Sequence, residues 1–429
     1  MKKVVIIGSL DTKEAEAKYL KDRLKELHLR PFILDVSMRQ HKPEILKSDI
    51  RNEEVAAAGG SSIERVGSLE LAEAIKIMVE GATEILRKLY DKGEISGVVG
   101  YGGSVGLTVS TTVMKALPFG VPKLVVTSLS ADAGRFIGHK DIAVVPSITD
   151  MAGGKTVNRI EGLMLTRAAG AMAGMVKAEP PPSEEKPFIV ASQFGVTTPQ
   201  VRMCKELLED IGYEVAAFHA VGTGGRSMEE TVENGLAAGV LDITTHELAD
   251  RLVGGVYDAG PTRLETAGRL GVPQVILPGA LDIINFWRPE TVPERFKNRR
   301  FYYHNPNVTL MRTSVEESRE LGKIVADKVN KAKGPTVVVI PLKGWSSYDV
   351  EGGVTTVDYY GKPTGEPWYQ HESNAAFTKA LEDRIDRSKQ NVELLKVDYH
   401  INDRKLSELL TTILHDTIKD RWKKGTYIG

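Results

Sequence analysis

The chain has 429 residues, 41% hydrophobic and 26% charged, with a formal net charge of -1. That length exceeds one typical core and suits two domains, while the near-zero charge argues against the basic field of a nucleic-acid-binding protein. One cysteine, Cys204, rules out an internal disulfide framework and a Cys-rich zinc centre. No apolar run approaches the roughly 20 residues that span a bilayer, so a cytoplasmic protein without a membrane or nucleic-acid partner is expected.

Met1-Lys-Lys-Val-Val-Ile-Ile-Gly8 begins like a signal peptide, but its apolar run is short and Asp11 follows, so it reads as a first strand near residues 3–8. Ser9-Leu-Asp-Thr-Lys13 then opens a helix. Asp11 is a candidate for a ribose hydroxyl or a metal-bound water. Thr12 and Lys13 are candidates for phosphate oxygens, with Lys13 as a point charge. Helix capping by Asp11 or Thr12 is the competing role, and a cap is compatible with ligand contact.

Further strands are expected near residues 31–36, 96–100, 122–127 and 142–146, with an irregular stretch at 38–68. Val98-Val-Gly100 leads into Tyr101-Gly-Gly-Ser-Val-Gly106. Gly102, Gly103, Ser104 and Gly106 predict an anion cradle, because glycines let the backbone approach an anion and a helix start aims N–H groups at it. The turn lacks the Lys-Ser/Thr that closes a Walker loop and misses the Rossmann spacing, so a tight helix–strand packing turn is the alternative. Gly153-Gly-Lys-Thr156 looks like the end of a Walker motif, but Thr149 stands where the motif needs glycine. It reads mainly as a helix start.

Ala178-Glu-Pro-Pro-Pro-Ser-Glu-Glu-Lys-Pro187 cannot continue a helix and buries little. It divides the chain into residues 1–178, a linker at 179–186, and residues 187–429. Strands in the second half are expected near 187–192, 214–219, 239–243, 273–277, 335–341 and 392–397. At a constant offset of 184, Leu20, Leu24 and Leu27 fall on Cys204, Leu208 and Ile211, one helical face in each half. Gly120-Val-Pro-Lys-Leu-Val-Val126 and Gly271-Val-Pro-Gln-Val-Ile-Leu277 form a second pair, and the two glycine turns are read as standing in matching places. The pattern fits either duplication or two generic α/β units. Continuous apolar strands alternating with helices predict an α/β fold of two Rossmann-like subdomains, with mainly parallel sheets and ligand sites at C-terminal strand ends.

His219-Ala-Val-Gly-Thr-Gly-Gly-Arg-Ser227 is the second predicted cradle. Gly222, Thr223, Gly224 and Gly225 would bind a carboxylate or phosphate, and Arg226 would clamp it bidentately. His219 at a strand end is placed for acid–base work or is an ordinary hydrogen-bonded histidine. Thr244-Thr-His-Glu-Leu-Ala-Asp250 would need histidine at position 250 to be a metalloprotease motif, so a capped helix is the better account. Asp282, Asn285, His304, Asn305, Thr309 and Arg312 end apolar runs and either converge on a small polar ligand or form Asx turns. Asp398-Tyr-His-Ile-Asn-Asp403 is similar. The aromatic stretch 344–371 is a lid, a partner surface or a packed loop. Cys204 reads as core, and no residue pair has metal-ligand spacing.

Ser9–Lys13, Gly102-Gly-Ser104, Val196-Thr-Thr-Pro199, Phe218–Arg226, Thr244–Asp250, Pro278-Gly-Ala-Leu-Asp282, His304-Asn-Pro306 and His400-Ile-Asn-Asp403 occur in this order. Together they resemble the Tm-one-like ATP-binding family over essentially the whole chain. The resemblance implies a two-subdomain protein that binds ATP with Mg2+ and forms homo-oligomers. Where the family often reads Gly-Asp-Val-Arg-Pro, this chain has Ala131-Asp-Ala-Gly-Arg-Phe136, with altered spacing around Asp132 and Arg135. The nucleotide is expected over Gly102–Gly106 beside Asp11, Thr12 and Lys13. A small anionic substrate is expected at Gly222–Gly225 and Asn305, with His219, Arg226 and His304 as candidate catalytic groups. The alternative is a nucleotide-gated interaction module without catalysis.

Overall fold

The computed structural model of the chain describes residues 2–179 and 184–427; Pro180–Ser183 of the expected linker lie outside the described residues. The chain divides into two compact units, Met1–Pro182 and Ser183–Gly429.

The first unit runs β1 (Lys3–Gly8), α1 (Leu10–Glu26), β2 (Arg30–Asp35), α2 (Asn52–Ala58), α3 (Ile63–Val66), α4 (Leu71–Asp91), β3 (Ile95–Gly102), α5 (Ser104–Met114), β4 (Lys123–Thr127), α6 (Ala133–Ile137), β5 (Ala143–Pro146) and α7 (Arg159–Lys177). Its strands form one parallel sheet in the order β2-β1-β3-β4-β5. Alternation along β1 sends Val4 and Ile6 to one face, where they pack with Leu20, Leu24, Leu165 and Met172 of α1 and α7. Val5 and Ile7 go to the other face, against Met78, Leu86 and Val113 of α4 and α5. Both faces are therefore covered, as a parallel sheet requires. The strand order reverses between β1 and β3, and ligands of such sheets bind beyond the strand ends at that point.

The second unit runs β6 (Phe188–Gln193), α8 (Thr198–Asp210), β7 (Glu214–His219), α9 (Thr223–Glu233), β8 (Gly239–Thr244), α10 (Glu247–Val253), α11 (Thr266–Leu270), β9 (Gln274–Gly279), β10 (Ile283–Phe286), β11 (Phe301–Asn305), β12 (Val308–Arg312), α12 (Val315–Val329), β13 (Thr336–Pro341), β14 (Thr355–Val357), β15 (Pro363–Pro367), α13 (His371–Arg384), β16 (Val392–Val397) and α14 (Arg404–Ile418). Six strands form a parallel sheet in the order β7-β6-β8-β9-β13-β16. Strand by strand, its first five places repeat those of the first unit. Leu20 and Leu24 correspond in burial to Cys204 and Leu208, all fully buried, whereas Ile211 is 49% exposed and leaves the shared face.

This correspondence corrects the expected equivalence of the two glycine turns. Gly102 ends β3, but Gly222 follows β7, the edge strand that matches β2. The long segment carrying α2, α3 and α4 between β2 and β3 hides the offset from a reading along the chain. The counterpart of the Gly102–Gly106 turn is the segment after β8, which begins Thr245-His-Glu247.

The unit also holds an antiparallel sheet, β10-β12-β11-β14-β15, which the strand pattern did not reveal. The aromatic stretch at 344–371 contributes β14 and β15 to it. Trp345 and Trp368 are buried while Tyr360 is 76% exposed, so this stretch is largely packed scaffold. Arg312 ties it down: its guanidinium donates to the Trp368 carbonyl at 2.9 Å, to Asp349 at 3.2 Å and to Asn374 at 3.2 Å. No helix among the described residues is long and apolar enough to cross a membrane.

Candidate functional site

At the reversal point of the first sheet lies a cleft of about 770 Å³. Ser9, Asp11, Thr12 and Lys13 line one side, and Gly103, Ser104, Val105 and Gly106 line the other. The two helices starting there differ in their free donors. The start of α1 is spent internally: Leu10 N–H donates to Asp35 Oδ1 at 3.3 Å and Asp11 N–H to Ser37 Oγ at 3.0 Å. Asp35 also accepts from Ser37 Oγ at 2.5 Å and pairs with His41 at 2.8 Å. No side chain caps the start of α5, whose N-cap is Gly103. Unlike α1, α5 therefore presents uncapped N–H groups to the cleft.

The turn is shaped by glycine. Gly102 has φ +134, and a Cβ on Gly106 would stand 2.6 Å from the Tyr101 carbonyl oxygen. Tyr101 is buried and donates from its hydroxyl to the Lys13 carbonyl at 3.0 Å. Lys13 is non-helical inside α1 (φ -137, ψ 44), and its Cδ lies 3.9 Å from where a Cβ on Gly102 would be. The kink thus lays the lysine stem beside the glycine turn. Asp11 Oδ1 is buried without a partner. Burial and the charge of Asp35 raise the Asp11 pKa, against the opposing pull of His41, Ser37 and Thr12. Asp132 and Arg135 are exposed.

Below the cleft, Gly153 N–H donates to Glu16 Oε1 at 3.1 Å. A Cβ on Gly153 would overlap the Thr12 carbonyl, so the Gly153–Thr156 turn presses against α1. Glu16 and Glu161 are both buried, and each keeps one oxygen without a partner. Burial, then the charge of Glu16, pushes Glu161 up to about 7. A carboxyl raised in the folded state favours folding while protonated, so stability falls as pH rises through about 7. Glu161→Gln is expected to flatten that loss. Thermal melts of both proteins at about pH 6 and about pH 8 check it, and an equally steep loss in the variant would contradict the assignment.

The second unit treats its glycine turn differently. Gly222 N–H donates to Glu247 Oε1 at 2.7 Å and Gly225 N–H donates to the same oxygen at 3.2 Å. A Cβ on Gly225 would overlap the Glu247 carboxylate. This turn does cradle an anion, but the anion is the chain's own side chain. Arg263, 1% exposed, holds Glu247 at 2.7 Å and Asp242 at 2.5 and 2.6 Å. Burial works against the guanidinium charge, but Asp242, Glu247 and Glu229 outweigh it and raise the Arg263 pKa. Arg226 donates to the Asp258 carbonyl at 2.8 Å.

Other expected residues disperse. His219 is exposed at the end of β7, its ring stacked 5.6 Å from Phe194. His304 and Asn305 stand on β11, exposed; His304 bonds the Tyr348 hydroxyl at 2.9 Å and Asn305 accepts from Asn307 N–H at 2.8 Å, an Asx turn. Asp282 accepts from Ser346 and from the Trp368 indole at 2.8 Å, and burial with Asp349 nearby pushes it up to about 6. Asn285 donates to Asp250 at 2.8 Å. Asp403 caps α14, and Cys204 is core, its thiol pushed up to about 12 by burial. Glu247 and Arg263 were not anticipated as the turn's partners. The capped-helix reading of Thr244–Asp250 found the helix that carries Glu247, but that helix starts at Glu247 with His246 at its N-cap and no side-chain cap, and Arg263 stands outside it.

Residues 2–181 match the N-terminal domain, and residues 186–418 the C-terminal domain, of the Uncharacterised protein family (UPF0261). A UPF0261 protein of Clostridium tetani is 42% identical over 405 residues, covering 94% of this chain and 95% of that protein. One from Rhizobium meliloti is 39% identical over 420 residues, covering 97% and 99%. The ToMV resistance protein Tm-1(GCR237) of Solanum lycopersicum is 35% identical over 344 residues, covering 79% of this chain and 43% of that longer protein. With both units matched along nearly their whole length, the chain belongs to the Tm-1-like UPF0261 family.

Proposed function

We propose that the chain binds ATP in the cleft of its first unit. The observation that carries this reading is the uncapped start of α5, which opens into the reversal point of the sheet beside Lys13. The phosphates lie on the N–H groups around Gly103–Gly106, with the charges of Lys13 and Arg39 on the cleft wall offsetting theirs. The base rests against the apolar part of the wall, where Met38, Leu71 and Met151 stand.

Among the described residues no three His, Cys, Asp or Glu side chains gather to hold a metal. Asp11, with its unpartnered Oδ1, and Asp150 are the carboxylates of the cleft. That pair fits Mg2+ held jointly by protein and phosphate, where the ion supplies charge neutralisation. Thr12 and Ser104 add exposed hydroxyls at the cleft edge.

Titration calorimetry tests the placement. Lys13→Ala is expected to weaken ATP binding about 10- to 100-fold, the scale of a charge-assisted contact. Gly103 has an ordinary φ of -77, and a Cβ there would meet nothing within 4 Å. Gly103→Val therefore keeps the fold and fills the cleft, and a loss of similar size is expected. Wild-type affinity in both folded variants would rule the placement out.

A further inference from the structure

One side of the six-stranded parallel sheet ends at β16. Its inner neighbour is β13, aligned residue by residue from Thr336 and Val392 to Pro341 and Val397. In a parallel ladder, alternate residues turn both backbone groups toward the same neighbour. Thr336 N–H donates to the Asn391 carbonyl at 2.8 Å, and Leu342 N–H to the Val397 carbonyl at 2.9 Å. The odd-numbered residues from 391 to 397 therefore serve β13. Val392, Leu394 and Lys396 turn their N–H and C=O groups outward, and no strand among the described residues pairs with them. Such a row of unpaired backbone groups is a template for another strand.

A groove of about 490 Å³ runs along this edge, lined by Val392, Leu394 and Lys396. The end of α13 and the turn after it, from Glu382 to Arg387, form one wall; Lys424 and Gly425 of the C-terminal tail form the other. The tail is held there by Glu393, which accepts from Trp422 Nε1 at 3.2 Å and from Gly425 N–H at 2.8 Å. Lys424 reaches across to the opposite wall, donating to the Arg387 carbonyl at 2.7 Å and the Lys389 carbonyl at 2.8 Å, and closes the groove where the chain enters β16. A second copy would bring the same two walls, so two recessed β16 edges could not meet. A single extended segment can lie between the walls.

The groove is apolar at its floor and cationic at its closed end. Ile385 and Val392 belong to the buried core, and Leu394 packs against it half-buried. Glu382 is spent on Lys396 at 2.7 Å, and Glu393 on the tail. Arg387 is exposed and forms no ion pair among the described residues, and Lys424 bonds only carbonyls. Asp386 is the one carboxylate left beside them; Ser388 first, then the charges of Lys389 and Lys424, hold it below the usual carboxylate range. Arg387, Lys389 and Lys424 thus outnumber it. We propose that this edge binds an extended segment of a partner protein, which adds to the sheet outside β16. Backbone hydrogen bonds to Val392, Leu394 and Lys396 supply the affinity, an apolar side chain rests on Ile385 and Leu394, and an acidic residue meets Arg387 and Lys424.

Two end-blocked, fluorescein-labelled peptides, Glu-Val-Thr-Val-Thr and Thr-Val-Thr-Val-Glu, carry the acid at opposite ends and so cover both strand directions. At least one is expected to bind the full chain saturably by fluorescence anisotropy. It should slow hydrogen exchange at the Leu394 and Lys396 amides but not at Leu395, which β13 already protects. Full N-methylation of that peptide removes its backbone donors and is expected to abolish binding. Lys396→Pro removes one outward N–H and leaves the β13 ladder intact; about a tenfold loss is expected, that of one good hydrogen bond. Arg387→Glu, on the exposed wall, is expected to weaken the acidic peptide about tenfold or more and to favour the same peptide with lysine in place of glutamate. Four results would each overturn the proposal: no binding of either peptide, binding that survives N-methylation, unchanged affinity in Arg387→Glu, or protection of the Leu394 and Lys396 amides in the peptide-free chain that grows with protein concentration, the mark of a second copy.

Discussion

Arg263→Met is expected to destabilise the second unit by about 3–5 kcal/mol, because removing one partner of a buried ion network leaves uncompensated charge. Arg263 is the cation shared by Asp242 and Glu247, both about 1% exposed. Without it, those two carboxylates face each other across a dry interior and must take up protons to remain there. The loss should therefore be smaller in mildly acidic buffer than in alkaline buffer. The damage should reach the surface as well, since Glu247 is what holds the Gly222 and Gly225 N–H groups. All four tryptophans (Trp287, Trp345, Trp368 and Trp422) lie in the second unit, so urea denaturation followed by tryptophan fluorescence reports on it alone. A loss below about 1 kcal/mol would mean that the network is not the keystone described here.

Gly8→Ala is the matching experiment for the first unit. A Cβ at Gly8 would overlap the ring and hydroxyl of Tyr101, which is 1% exposed and has no room to retreat. Overpacking of this kind costs about 1–3 kcal/mol. The same displacement breaks the bond from the Tyr101 hydroxyl to the Lys13 carbonyl, which pins the kink in α1. Stability and ATP affinity should fall together, the latter by about tenfold, since one charge-assisted contact is at stake. Denaturation and calorimetry on the same preparation check this. A stability loss with unchanged affinity would detach Tyr101 from the nucleotide site.

The parallel sheets were legible because their strands are continuous apolar runs: 214–219 and 392–397 were placed to the residue. The antiparallel sheet was not. β15 is Pro-Thr-Gly-Glu-Pro, exposed at every position, with a proline at each end and no alternation to betray it. β11 ends in Tyr-His-Asn and looks like a polar loop. Glycine turns announce anion binding well, yet they do not announce the anion. For Gly225 the partner is Glu247, 22 positions along the chain and visible only after folding.

The carboxylate of Glu247 seated on Gly222 and Gly225 also sets a competition. An intramolecular ligand acts at an effective concentration of millimolar or more, with no loss of translational freedom on binding. A phosphate or carboxylate arriving from solution must outbid it and also leave Arg263 with one fewer partner. The turn is thus insulated from the surrounding pool of anionic metabolites, an insulation that the uncapped start of α5 in the other unit lacks.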